Sequence, residues 1–192
     1  MNLLKQAKSK LIFISGGVRS GKSDFAEELA IHYAEETGER LIYMATSKVE
    51  DEEMQARIER HRQQRQASDI PWETLEIAHH FPENIAQLPK QGIVLLDCLT
   101  VLLANELFAK LVTEAEIDQH SAQVTTDLMR SIDDLSQKTD CLLIVSNEIH
   151  HEIIDDIYVA AYQRSLGQLH QQIVAKSAQA YLVEAGIARL MK

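Results

Sequence analysis

Along this chain, short unbroken apolar runs alternate with longer stretches in which apolar positions recur every three to four residues. Residues 11–15 are apolar up to Ser15 and stop at Gly16-Gly17, the pattern of a strand buried on both faces. Phe25, Ala26, Leu29, Ala30, Tyr33 and Ala34 then repeat at helical spacing, which predicts a helix over 22–37 ended by Gly38. A second strand is expected at 41–45. Over 50–66 the sequence reads as a helix with acids in its first turn and bases in its last, complementing the helix dipole. All three prolines fall between Pro71 and Pro89, in a connection around a short strand. A third strand is expected at 93–96, ending on Asp97. Helices should follow at 100–111 and 114–137, then a strand at 141–146 and a helix within 155–178. The last strands, 181–184 and 188–191, flank Gly186.

Strands that alternate with helices imply an α/β fold, a mostly parallel sheet with helices on both faces. No repeat, low-complexity tract or Pro/Gly-rich linker interrupts the pattern, so one domain over 1–192 is expected. Ligands of such sheets sit outside the carboxyl ends of the strands. The loops after Ser15, Ala45, Asp97 and Ser146 should therefore converge on one site.

Composition narrows the partners. The formal net charge of -10 excludes a general nucleic-acid binder, which would carry a basic face, but leaves nucleotide binding open. No apolar run approaches the ~20 residues needed to span a bilayer, and no cleavage signal follows the lysine-bearing N-terminus, so neither a membrane span nor a secretory peptide is expected. Cys98 and Cys141 sit beside strands without metal-ligand spacing and read as reduced core thiols.

The chemistry concentrates at Gly16-Gly17-Val18-Arg19-Ser20-Gly21-Lys22-Ser23, a full match to G-x-x-x-x-G-K-[ST] between a strand and a helix. The glycines let main-chain N–H groups curl toward phosphate oxygens. Lys22 would reach the β- and γ-phosphates, and the Ser23 hydroxyl would ligate Mg²⁺. Asp97 closes an apolar strand, either as a second Mg²⁺ ligand or as a strand-end cap. On the 50–66 helix, Met54, Ile58 and His61 share a face, and Arg57, His61 and Arg65 form an adjacent stripe. An imidazole between two arginines favours its neutral, nucleophilic form. Taken alone, His61 is more often a plain surface histidine. His79-His80 and His150-His151 have no third ligand at metal spacing.

These residues resemble the bifunctional adenosylcobinamide kinase/adenosylcobinamide-phosphate guanylyltransferase family. The loop is similar to that family's G-G-x-R-S-G-K-S. Further matches follow in order: Tyr43-Met44-Ala45-Thr46-Ser47, Asp51-Glu52-Glu53-Met54, Arg57-Ile58-Glu59-Arg60-His61-Arg62, then Trp72, Thr74 and Glu76, then Asp97-Cys98-Leu99-Thr100, then Ser146-Asn147-Glu148. The resemblance implies a RecA-like phosphate-loop fold and a cytoplasmic homotrimer that acts in cobalamin synthesis. It implies phosphorylation of adenosylcobinamide and transfer of GMP from GTP to adenosylcobinamide phosphate, with His61 as the guanylylated nucleophile. Residues 16–23, Ala45, Thr46, Ser47, Arg62, Gln63, Gln64, Arg65, Glu76 and Asp97 would contact GTP. A phosphate-loop kinase with only the phosphoryl step, using ATP or GTP, and a nucleotide-binding regulator are the alternatives.

The pattern departs after Glu148. The family's V-G-x-G-I-V-P is replaced by Ile149-His150-His151-Glu152-Ile153-Ile154-Asp155. In the later R-x-x-[FY]-R-D-x-x-G-x-x-N-Q motif, Tyr162, Gly167 and Gln171 are kept. Gln163, Arg164 and His170 stand where the family has arginine, aspartate and asparagine.

Overall fold

The structure is a computed structural model that describes residues 10–47, 59, 61–63, 65–66, 68–85, 88, 91–148 and 156–192. Seven strands form one sheet: β1 (Lys10–Gly16), β2 (Leu41–Ala45), β3 (Trp72–Glu76), β4 (Ile93–Asp97), β5 (Cys141–Asn147), β6 (Gln179–Glu184) and β7 (Ile187–Leu190). Their order is β3-β2-β4-β5-β1-β6-β7, and every pairing is parallel except the β6–β7 hairpin. The helices are α1 (Lys22–Thr37), α2 (Phe81–Ile85), α3 (Leu99–Leu107), α4 (Ile117–Lys138) and α5 (Ile157–Lys176).

Alternation along the central strands explains why both faces are covered. Leu11 and Phe13, Val94 and Leu96, and Leu142 and Ile144 point into one core, against α2 to α5. Ile12 and Ile14, Ile93 and Leu95, and Leu143 and Val145 point into the other, against Ala26, Ala30 and Ala34 of α1. These small alanine side chains let α1 lie close to the sheet, so the phosphate loop that precedes it is held against the strand ends.

Three boundaries differ from expectation by two residues or more. α3 stops at Leu107, where the Phe108 N–H caps the Ala104 carbonyl; Leu111 is 99% exposed and continues no core stripe. α4 starts at Ile117 because Glu116 accepts hydrogen bonds from the Thr113 N–H (3.0 Å) and hydroxyl (2.8 Å), folding that segment into a turn. β6 starts at Gln179, where pairing with Ile12 of β1 outweighs low hydropathy. The five-residue α2 is an element that the sequence pattern does not predict. Of the expected 50–66 helix, Glu59, His61–Gln63, Arg65 and Gln66 are helical. Residues 50–58, 60 and 64, with Arg57, Arg60 and Gln64, lie outside the described residues, as do 149–155.

Candidate functional site

The loop between β1 and α1 has the shape its glycines predict. Gly21 has φ 89° and Arg19, a non-glycine, φ 59°, so the chain passes through the left-handed region on both sides of Ser20. A Cβ at Gly16 would lie 2.3 Å from the Val183 carbonyl oxygen, a main-chain atom with no room to yield. The Gly186 N–H, in the β6–β7 turn, donates to the Ser20 carbonyl at 2.8 Å and braces the loop from behind. Lys22 folds back so that Nζ donates to the Gly17 carbonyl at 3.1 Å. Lys22, Ser23 and Ser20 are buried, while Val18 stands out at the rim. The Ser20 hydroxyl is buried without a hydrogen-bond partner.

Parallel register brings the neighbouring strand ends level. Ala45 pairs with Glu76 on one side and with Asp97 on the other, and Asp97 pairs with Val145. The Tyr43 hydroxyl donates to Asp97 Oδ2 at 3.2 Å; burial and the Asp97 charge push that phenol well above its ordinary pKa, so it stays a donor. Thr46 is fully buried, and its hydroxyl both donates to the Cys98 carbonyl (2.9 Å) and accepts from the Cys98 N–H (2.8 Å). That hydroxyl therefore latches two strand-end loops together. Ser47 is half-buried beside it. The Glu148 N–H donates to the Gly16 carbonyl at 3.1 Å, and Ser15 Oγ donates to Glu148 Oε1 at 3.2 Å. Asn147 Nδ2 donates to Thr100 Oγ1 at 3.0 Å.

His61 lies against α1, next to the phosphate loop's own helix. Its Nδ1 is 3.5 Å from Glu27 Oε1 and 3.9 Å from Asp24 Oδ1. Arg65 meets the same Glu27 oxygen, with Nη1 at 2.8 Å, and its guanidinium lies 3.7 Å from the centroid of the Tyr43 ring. Of the two arginines expected beside the histidine, Arg65 meets it at a shared Glu27 oxygen. Arg57 is outside the described residues, and the groups beside the ring nitrogen are carboxylates supplied by α1, which the periodicity of 50–66 could not reveal. Glu27 is the residue that sequence reasoning missed. A signal was present: it falls on the buried stripe of Ser23, Ala26, Ala30 and Ala34, where a carboxylate has a reason to be.

Beyond Arg65 opens a cavity of about 530 Å³ lined by Arg62, Arg65, Gln66, Asp69, Trp72 and Thr74. Trp72 Nε1 is buried and has no hydrogen-bond partner. Gln63 donates to Glu59 on its own helix (3.1 Å) and is exposed, as are Arg62 and Glu76. Both cysteines are free and buried, and burial pushes the Cys141 thiol up to about 12. Among the described residues no group of three His, Cys, Asp or Glu side chains could hold a metal ion alone.

A family model described as cobinamide kinase / cobinamide phosphate guanyltransferase matches residues 12–191. The chain belongs to that family. Within the cobinamide kinase / cobinamide phosphate guanyltransferase family it is 31% identical to the bifunctional adenosylcobalamin biosynthesis protein CobU of Escherichia coli (strain K12), over 95% of this chain and 99% of that protein. It is 32% identical to the protein of the same description from Salmonella typhimurium, again over 95% and 99%. With CobP of Pseudomonas aeruginosa it shares 30% over 93% of this chain and 95% of that protein. Like its family, the chain is a transferase. The fold is RecA-like: a solved ATPase domain superposes with a TM-score of 0.52 at 14% identity, covering 91% of this chain and 69% of that one. Among the described residues no helix is long and apolar enough to cross a membrane.

Proposed function

We propose that this chain phosphorylates adenosylcobinamide and then transfers GMP from GTP to adenosylcobinamide phosphate, forming adenosylcobinamide-GDP through GMP carried on His61. The observation that carries the reading is His61 resting on the first two turns of α1. Glu27 is five residues beyond Lys22, about 7.5 Å along a helix axis. A triphosphate seated on the loop amides would lie within reach of that imidazole.

In this reading residues 16–23 cradle the phosphates, and Lys22 exchanges its contact with the Gly17 carbonyl for phosphate oxygens. His61 attacks the α-phosphorus: an N–P bond forms, the bond from that phosphorus to the bridging oxygen breaks, and pyrophosphate leaves. The acceptor phosphate then attacks the same phosphorus, and the electron pair of the N–P bond returns to the imidazole. Two easier displacements replace one difficult one. Ser23 and Asp97 offer hard oxygen donors suited to Mg²⁺, which would neutralise phosphate charge when bound. Arg62, Arg65 and the Trp72-lined cavity would take the base and ribose, with Ala45, Ser47 and Glu76 along the strand ends. The single sheet supports one domain. By family, the working form is a cytoplasmic homotrimer, which a molar mass of three chains in light scattering would test.

GTP labelled at the α-phosphorus should leave an acid-labile, base-stable adduct on the wild-type protein and none on His61→Ala. A wild-type protein that never takes the label overturns guanylyl transfer through His61.

A further inference from the structure

Among the described residues, Glu27 meets two cationic or imidazole side chains through one oxygen. Its Oε1 lies 2.8 Å from Arg65 Nη1 and 3.5 Å from His61 Nδ1. The glutamate and histidine side chains are 9% and 14% exposed. His61 Nδ1 is buried and makes no hydrogen bond, although a small rotation of the ring would close one to Glu27. Asp24, the other carboxylate near this nitrogen, is farther away at 3.9 Å and 57% exposed, so water screens it.

We propose that Glu27 is the positioning residue of His61: it accepts the Nδ1–H, fixes the tautomer that leaves the Nε2 lone pair free, and aims Nε2 at the α-phosphorus. This role rests on the guanylyl-transfer reading. A neutral imidazole has one N–H and one lone pair, and a carboxylate can only accept. The nitrogen that faces Glu27 must therefore carry the hydrogen, and the opposite nitrogen must be the nucleophile. As Nε2 bonds to phosphorus, positive charge develops on the ring and becomes shared with Nδ1–H. An anion already in place there stabilises that charge without rearrangement. Arg65 supplies the counter-charge that a buried carboxylate requires, and its stacking on Tyr43 fixes its direction.

The decisive measurement needs no variant. In the full chain with ¹⁵N-labelled histidine, long-range ¹H–¹⁵N spectra should show His61 protonated on Nδ1, and ³¹P spectra of the GMP adduct should show attachment at Nε2. An Nε2–H tautomer or an Nδ1 adduct overturns the proposal. Glu27→Gln should scramble the tautomer and slow single-turnover adduct formation roughly 10²-fold, the scale of a lost general-base or orienting group. GTP affinity should stay unchanged. Glu27→Asp should recover part of that rate. Wild-type rate in Glu27→Gln overturns the role. Should wild-type protein take no label, guanylyl transfer fails, yet the tautomer still decides whether Glu27 orients His61.

Discussion

The phosphate loop and the histidine site meet at the same helix, α1, but they are specified in opposite ways. The loop is eight consecutive residues whose conformation follows from glycine positions and from the strand and helix that bound it. The histidine site draws Asp24 and Glu27 from α1, Tyr43 from β2, Asp97 from β4, and His61 and Arg65 from the helical residues after β2. Its meaning lies in contacts between residues far apart in sequence. A local motif announces what can bind; an assembled cluster decides what happens to it. A continuous chain of contacts runs through that cluster, from His61 to Glu27, Arg65, Tyr43 and Asp97.

The sharpest way to break the comparison is to remove the local element alone. Lys22→Ala should cost ~1.5–3 kcal/mol of nucleotide binding as a lost charge-assisted contact, and more in the transition state. Both phosphoryl and guanylyl transfer should fall by ~10³-fold or more, while the His61 tautomer, set by Glu27, should be unchanged. Turnover of both reactions at wild-type rate, measured by product mass, would contradict the loop assignment.

A second test asks whether the loop is as local as its motif. Behind β1, His170 of α5 packs edge-on against Phe13 at 5.0 Å, and its Nε2 lies 2.7 Å from Ser146 Oγ at the end of β5. Burial pushes this imidazole down to about 4 from an ordinary 6.5. Because the folded state holds the proton more weakly than the unfolded chain, the contribution is fully present above pH 6.5 and is lost as pH falls toward 4. At 1.36 kcal/mol per unit this amounts to roughly 3 kcal/mol at most, and about 2 kcal/mol between pH 7 and pH 5. Urea midpoints should show that loss in the wild type. His170→Gln, with no group to titrate there, should lose about 2 kcal/mol less over the same interval. Parallel pH profiles would mean that His170 is neutral for other reasons and that the support under β1 is insensitive to it.

How far the molecule was legible follows the same division. The central strands were readable because each is a run of apolar residues buried on both faces, and α1 because its apolar positions repeat at helical spacing. Leu111 misled because an apolar letter does not say which way it faces, and here it faces water. The short α2 has too few residues for a period to be seen. In the site, the place of Gly16, Lys22 and Ser23 in a loop between β1 and α1, and of Asp97 at the end of β4, was legible because motif and apolar run fix position. The neighbours of His61 were not, since they come from helix α1, whose docking depends on Ala26, Ala30 and Ala34 packing on the sheet. Reading Glu27 as a misplaced acid on a buried stripe would have been the one available clue.

The finest test acts at the strand-end limit of the cluster, where Tyr43 meets Asp97. Tyr43→Phe removes only the hydroxyl that donates to Asp97 and keeps the ring under Arg65. A hydrogen bond to a charged group is worth about 1.5–3 kcal/mol when both partners are buried, less where Asp97 is half-exposed, so a loss nearer ~1 kcal/mol is expected. It should appear as a ~5-fold higher magnesium requirement for GTP binding, because an Asp97 free to rotate presents its oxygens to the metal less often. Arg65, still stacked on the ring, should keep Glu27 in place, so the His61 tautomer should not move. An unchanged magnesium dependence would detach Asp97 from the nucleotide's metal. A scrambled His61 tautomer would instead show that the phenol hydroxyl steadies the cluster as far as the histidine, and the two regions would have to be treated as one.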